Sequence, residues 1–101
     1  MKKFKALYKA MQDDLKDSEM MINYAREIKE ESPEDKVLAD ELAKYALFRL
    51  NHFMDFHEHF KAEAGKMPEI TAETVSTCMW CETHEMMQEW YDKIKSKIDK
   101  Y

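Results

Sequence analysis

A short break interrupts an otherwise helix-forming chain at Glu30-Glu31-Ser32-Pro33-Glu34-Asp35. Ser32 before Pro33 is typical of a helix N-cap followed by proline at the first helical position, and Asp35 completes an acidic variant of the capping box. Because a residue that precedes proline avoids the α region, the preceding helix is predicted to end between residues 29 and 31. The break therefore predicts one helix on each side of it.

A second break follows at Gly65-Lys66-Met67-Pro68-Glu69-Ile70-Thr71. Gly65 suits the left-handed position after a helix end, and Thr71 can cap the next helix, with Ile70 and Val75 as its hydrophobic staple. The sequence contains one Gly and two Pro among 101 residues, and all three lie in these two breaks. This scarcity disfavours turn-rich β folds and glycine-rich phosphate loops. One domain, 1–101, is predicted, with helices at about 3–30, 33–64 and 72–99.

Apolar residues recur with the helical period in all three segments. The predicted core consists of Phe4, Leu7, Met11, Leu15, Ile22 and Ala25 in the first helix, Leu38, Leu42, Tyr45, Ala46, Phe53, Phe56 and Phe60 in the second, and Val75, Met79, Trp80, Met86, Met87, Trp90, Tyr91, Ile94 and Ile98 in the third. Short links make neighbouring helices antiparallel. We therefore predict an all-α bundle of three long helices, up-down-up and antiparallel, that dimerises into a larger helical bundle.

Polar residues interrupt these stripes at one level of the predicted bundle. Antiparallel registry brings together Asp14 and Ser18 of the first helix, Arg49 of the second, and Thr83 and His84 of the third. A buried Arg keeps its charge and needs an acceptor, for which Asp14 is best placed. The layer is interpreted either as an ion pair that fixes helix register or as a site for a small anionic ligand or a metal in the core.

Histidine and cysteine side chains suggest a second kind of site. His52, Asp55 and His59 project from one edge of the second helix, level with Cys78 and Cys81, and these residue types can bind zinc or iron. The alternative is solvated histidines and two ordinary reduced thiols. A redox function of Cys78 and Cys81 would require a helix that begins near Thr77, because redox pairs of this spacing lie at helix N-termini.

Several apolar residues do not fit the core stripes. Met20 and Tyr24 lie opposite the core stripe of the first helix, whereas Leu47, Leu50 and Met54 widen the apolar arc of the second. They indicate a second buried face, for which a homodimer is the simplest explanation. Another protein partner or ordinary exposed apolar residues are the alternatives.

The charge balance and the motif content limit the possible functions. A net charge of −5 disfavours nucleic-acid binding, and no stretch approaches 18 apolar residues, so neither a nucleic acid nor a membrane is expected as a partner. A cytoplasmic location is expected. No catalytic motif of a hydrolase or phosphate-binding enzyme is present, so neither an enzyme activity nor a cofactor is predicted. We expect a self-associating interaction or structural module, with a zinc or iron protein and an anion-binding protein as alternatives.

Overall fold

The computed structural model describes the backbone of residues 2–66 and 77–101, and the side chains of 6–60, 62 and 86–101. Three α-helices, α1 (Lys2–Glu31), α2 (Lys36–Lys66) and α3 (Thr77–Asp99), pack together. No strand occurs within the described backbone. The predicted all-α class with three packed helices is therefore confirmed. Neither 2–66 nor 77–101 contains a helix that is both long and apolar enough to cross a bilayer.

The connection between α1 and α2 differs from the predicted capping box. Pro33–Asp35 forms a 3-10 turn, and α2 begins only at Lys36. The backbone oxygen of Ser32 accepts a hydrogen bond from Asp35 N at 2.8 Å, and its side chain makes no capping bond. Ser32 at the N-cap position and Pro33 in the first turn are therefore as predicted, whereas the side-chain bond of the predicted capping box is absent.

The predicted end of α2 was also wrong. The helix continues through Gly65 to Lys66, and no glycine of the described backbone has a positive φ. Glycine can remain in the right-handed helical region, so its presence alone did not end the helix. The predicted helix start at residue 72, with its cap and staple, lies outside the described residues.

The core stripe of α2 follows a heptad spacing that the sequence prediction missed. Its buried positions are Ala39, Ala43, Ala46, Leu50, Phe53, His57 and Phe60. They pack with Met11, Leu15, Ile22 and Ala25 of α1, and with Met87 and Ile94 of α3. Leu38 and Tyr45, which we predicted in the core, are exposed, as is Met86 of α3. In the first half of α2, the buried positions are alanines, whereas larger apolar residues such as Leu38 and Tyr45 lie on the exposed face. Prediction from the large apolar residues therefore selected the exposed face as the core.

The helix α3 contacts α1 and α2 through residues near its C-terminal end. Lys97 Nζ lies 3.2 Å from Asn23 Oδ1 and 3.7 Å from Glu19 Oε2, both on α1. On the α2 side, the rings of Tyr91 and Phe53 stack with centroids 5.6 Å apart. These contacts place α3 along one side of the α1–α2 pair.

Tyr101 joins all three helices near the α1–α2 connection. Its hydroxyl donates to Asp40 Oδ1 of α2 at 2.7 Å, and Lys29 Nζ of α1 donates to its backbone oxygen at 2.6 Å. The same Lys29 Nζ lies 4.4 Å from the centroid of the Tyr101 ring. Burial of the phenol raises the pKa of Tyr101 to about 12, and both the hydrogen bond to Asp40 and its negative charge act in the same direction.

Candidate functional site

Small side chains allow α1 and α2 to approach closely. Ala39, Ala43 and Ala46 present only methyl groups to the core, and Ser18 of α1 is fully buried. Its hydroxyl donates to the backbone oxygen of Ala46 at 2.7 Å. A side-chain bond to a main-chain atom of the facing helix requires the two backbones to lie near each other, so this contact defines their relative position.

Next to this contact, Asp14 is the centre of a charged cluster. The Asp14 carboxylate is almost fully buried, with Oδ1 at 2.8 Å from Arg49 Nε and Oδ2 at 3.1 Å from His52 Nδ1. Arg49 Nη2 lies 2.9 Å from Oδ2 of Asp17. The structure thus brings Asp14, Ser18 and Arg49 together. Arg49 is not enclosed in the core as the sequence suggested, because 24% of its side chain is exposed at the helix edge.

A row of rings continues outward along α2 from this cluster. The centroids of Tyr45 and Phe48 are 5.9 Å apart, and Phe48 stacks on His52 at 6.2 Å. The Phe56 ring meets His52 edge-on at 4.6 Å. Tyr45 and Phe48 are strongly exposed, so the row presents apolar surface to solvent rather than to the core.

A cleft of about 310 Å³ lies between this aromatic row and α1. The α1 side of the cleft is formed by Ala10, Asp13 and Asp14. The α2 side combines the four rings of the row with the Arg49 side chain. This volume is at the lower end of the range typical of small-molecule sites. The cleft therefore offers aromatic walls next to a charged floor.

The predicted metal ligands do not form a site within the described side chains. No group of three His, Cys, Asp or Glu that could hold a metal ion occurs there. Asp55 and His59 are exposed, whereas His52 turns toward Asp14. The side chains of Cys78 and Cys81 lie outside the described residues, although the backbone places Cys78 in the first turn of α3.

The remaining predicted residues divide between surface and interior. Met20 and Tyr24 are exposed, as a second apolar face requires. Leu47 is partly buried, and Met54 packs against the protein's own core. Leu50 is fully buried and cannot line an interface; the prediction was wrong because the core stripe runs through Leu50 itself. Thr83 and His84 lie outside the described side chains.

Two residues were missed by sequence reasoning. Tyr45 was predicted in the core and is exposed, although Leu38, Tyr45 and His52 recur every seven residues outside the core stripe; Phe48 already stands out in the sequence as an apolar residue outside that stripe. His57 is buried and stacks on Phe53 with centroids 5.6 Å apart. Its heptad spacing from Leu50 and Ala43 is the signal that could have identified it as a core residue.

No family model, curated protein or solved structure matches this chain. Its function must therefore be argued from the residues themselves, and the side of the α1–α2 pair that carries the cleft offers the strongest argument.

Proposed function

We propose that this protein is a non-enzymatic interaction module that forms a homodimer through one face of its α1–α2 pair. The proposal depends on one observation: six large apolar side chains of α1 and α2 are exposed although the chain has its own closed core and, Val37 aside, five of them are between 47% and 60% exposed. We call these five residues the apolar face: Met20, Tyr24, Leu38, Tyr45 and Phe48. Contiguous exposed apolar surface is typical of protein interaction sites.

Helical geometry supports a common side for most of these residues. With about 100° of turn per residue, Tyr24 falls close to Asp17, which contacts Arg49 of α2, whereas Met20 falls farther round, on the side of α1 opposite its core stripe. Glu19 and Asn23, which approach Lys97 of α3, fall on the opposite edge. On α2, Leu38 and Tyr45 fall on the same side as His52, away from Asp40. The apolar face thus lies opposite α3, where a further helix pair could pack.

The contacts between helices favour the up-down-up arrangement that such a dimer needs. Ser18 meets Ala46, whereas Asp14, earlier in α1, meets His52, later in α2, which fits an antiparallel pair. Residues 19 and 29 of α1 approach residues 97 and 101 respectively, which fits a parallel α1 and α3. Two antiparallel helices with a third parallel to the first correspond to an up-down-up bundle.

Charge on the apolar face is compatible with a second copy as the partner. Several charged residues around it pair laterally within the chain: Lys9 with Asp13, Lys44 with Glu41, and Arg49 with Asp14 and Asp17. These seven residues, three positive and four negative, carry a net charge of −1, whereas the whole chain carries −5. Two copies can therefore approach through this side with less repulsion than through the rest of the surface.

Sedimentation equilibrium over a range of protein concentrations tests the proposal. The wild type is expected to have twice the mass of one chain, and Tyr24→Glu and Leu38→Glu are expected to raise the dimer Kd at least about tenfold, because each would bury a charge at the interface. Met86→Glu is the control, since Met86 is an exposed apolar residue on α3, outside the apolar face. A wild type that stays monomeric at the highest concentration contradicts the proposal.

A further inference from the structure

The cleft beside the apolar face has walls that suit a positively charged ligand. Tyr45, Phe48 and Phe56 contribute ring surfaces to it. Tyr45 and Phe48 are the more exposed of these three rings. The face of an aromatic ring carries partial negative charge and attracts a cation that lies within about 6 Å of its centroid. Opposite the rings, Ala10 is small and leaves room for a ligand.

The charged groups around the cleft have an excess of carboxylates. Asp13 and Asp14 line it, and Asp17 is bound to the same Arg49 side chain. Lys9 and Arg49 supply two positive charges to these three negative ones. One negative charge is therefore left uncompensated next to the rings.

An anionic ligand, which the sequence suggested for Arg49, fits this arrangement poorly. The guanidinium group already contacts two carboxylates, at 2.8 Å through Nε and at 2.9 Å through Nη2. An incoming anion would have to displace one of them or approach Asp13 and Asp14 directly. Both routes oppose like charges.

We propose that this cleft binds an organic cation, an ammonium or guanidinium group that carries apolar substituents. The cation lies against Tyr45 and Phe48 and faces the carboxylate of Asp13, while its apolar substituents cover the Phe56 ring. Each of the lining residues belongs to one chain, so binding does not require self-association. Because Tyr45 and Phe48 also belong to the apolar face, the cation and a second copy of the chain compete for these two rings.

A titration with a matched pair of probes tests this inference. Choline carries a trimethylammonium group, and 3,3-dimethyl-1-butanol has the same shape with carbon in place of nitrogen. Chemical shifts of the Tyr45, Phe48 and Phe56 ring protons report binding. We expect choline to bind at least about fivefold more tightly than the neutral alcohol, as a cation–π contact and one excess carboxylate predict.

Three variants distinguish the contribution of the Phe48 ring, the contribution of the Asp13 charge and the effect of a substitution outside the cleft. Phe48→Leu keeps apolar volume at an exposed position but removes the ring, and we expect choline to bind at least about threefold more weakly. Asp13→Asn is expected to weaken the binding of choline and to leave the affinity for the neutral alcohol unchanged. Met86→Ala is the control: this residue is exposed on α3 and belongs neither to the apolar face nor to the cleft lining, so neither affinity should change.

The titration is run on the wild type and on Tyr24→Glu, which interrupts the proposed dimer without altering a cleft residue. In Tyr24→Glu, in which the apolar face is open, equal affinities for the two probes, or an added Phe48→Leu substitution that leaves choline binding unchanged, overturn the inference. A monomeric wild type that prefers choline contradicts only the proposed dimer.

Discussion

Both sides of the α1–α2 pair carry large apolar side chains, but they differ in what covers these side chains. On one side, α3 contributes Met87 and Ile94 to a closed core, and Tyr101 joins the three helices. On the other side, the rings of Tyr45 and Phe48 are exposed above a cluster of paired charges. Burial within this chain is therefore decided by the position of a residue around the helix rather than by its type.

Two leucines of α2 express this difference most directly. Leu50 is fully buried and belongs to the core stripe, whereas Leu38 is 55% exposed and belongs to the apolar face. Sequence reasoning assigned them the other way round. Substitutions that compare the two sides should therefore separate stability from association.

The largest expected effect is the loss of a core side chain. Leu50→Ala should lower the free energy of unfolding by about 3 kcal/mol, because it removes buried methyl groups and leaves a cavity. Leu38→Ala, the same change at an exposed site, should stay within about 0.5 kcal/mol when the chain is monomeric. Urea unfolding at low protein concentration measures both. Equal losses for the two variants would contradict the assigned core stripe.

The next effect concerns the charged cluster. Asp14→Asn should cost about 2 kcal/mol, because a buried carboxylate loses its charge-assisted contact with Arg49. Asp17→Asn should cost less than about 1 kcal/mol, since the side chain of Asp17 is 40% exposed and that of Asp14 is 4% exposed. Denaturant titration of the two variants gives the comparison. A larger loss from Asp17 would mean that Arg49 depends mainly on the exposed partner.

The close approach of α1 and α2 predicts a smaller effect. Ser18→Ala should cost about 1 kcal/mol, the usual net value of a hydrogen bond, because the hydroxyl bond to Ala46 is lost. Ser96→Ala, on an exposed position of α3, is the matched control and should be neutral. Thermal unfolding by circular dichroism measures both. Indistinguishable melting temperatures would show that the Ser18 hydroxyl does not stabilise the packing of α1 against α2.

The smallest effect is expected at Tyr101. Tyr101→Phe keeps the ring over Lys29 but loses the bond to Asp40, at a cost of about 0.5 kcal/mol at neutral pH. Because folding raises the pKa from 10.0 to about 12, the native state favours the protonated phenol. The stability that this group adds is complete below pH 10 and decreases as the pH rises from 10 toward 12.

The measurement at Tyr101 is the difference in unfolding free energy between the wild type and Tyr101→Phe as a function of pH. This difference should shrink above pH 10, whereas Tyr24→Phe, at an exposed phenol, should give no such trend. A constant difference would show that Asp40 does not hold the phenol in its protonated form.

Much of the architecture could be predicted from the sequence because breaks and charges leave strong local signals. Pro33 marks the α1–α2 connection, and Asp14, Ser18 and Arg49 stand out as polar residues within apolar stripes. The chain direction set by a short connection then brings them to one level, as the structure shows for all three.

The details that failed depend on packing that composition does not report. The core stripe of α2 passes through alanines, which are weak hydrophobic markers, so Leu38 and Tyr45 were placed inside. His57 is buried and stacks on Phe53. Because histidine is a polar residue type, the sequence gives little indication that this position belongs to the core. Asp17 is the second partner of Arg49. This ion pair depends on the direction of the Arg49 side chain at the helix edge, which the pattern of apolar and polar residues does not reveal.

The 3-10 turn between α1 and α2 also has a kinetic consequence. Ser18 and Ala46 lie 28 residues apart in sequence, whereas Lys29 and Tyr101 are separated by 72. Closing the shorter loop costs less chain entropy, so we expect the α1–α2 hairpin to zip outward from its turn before α3 docks. Ser18→Ala should then slow folding, and Tyr101→Phe should mainly accelerate unfolding. In this order of events, the apolar face is exposed from the first step of folding, and it remains exposed after α3 docks on the opposite side of the α1–α2 pair.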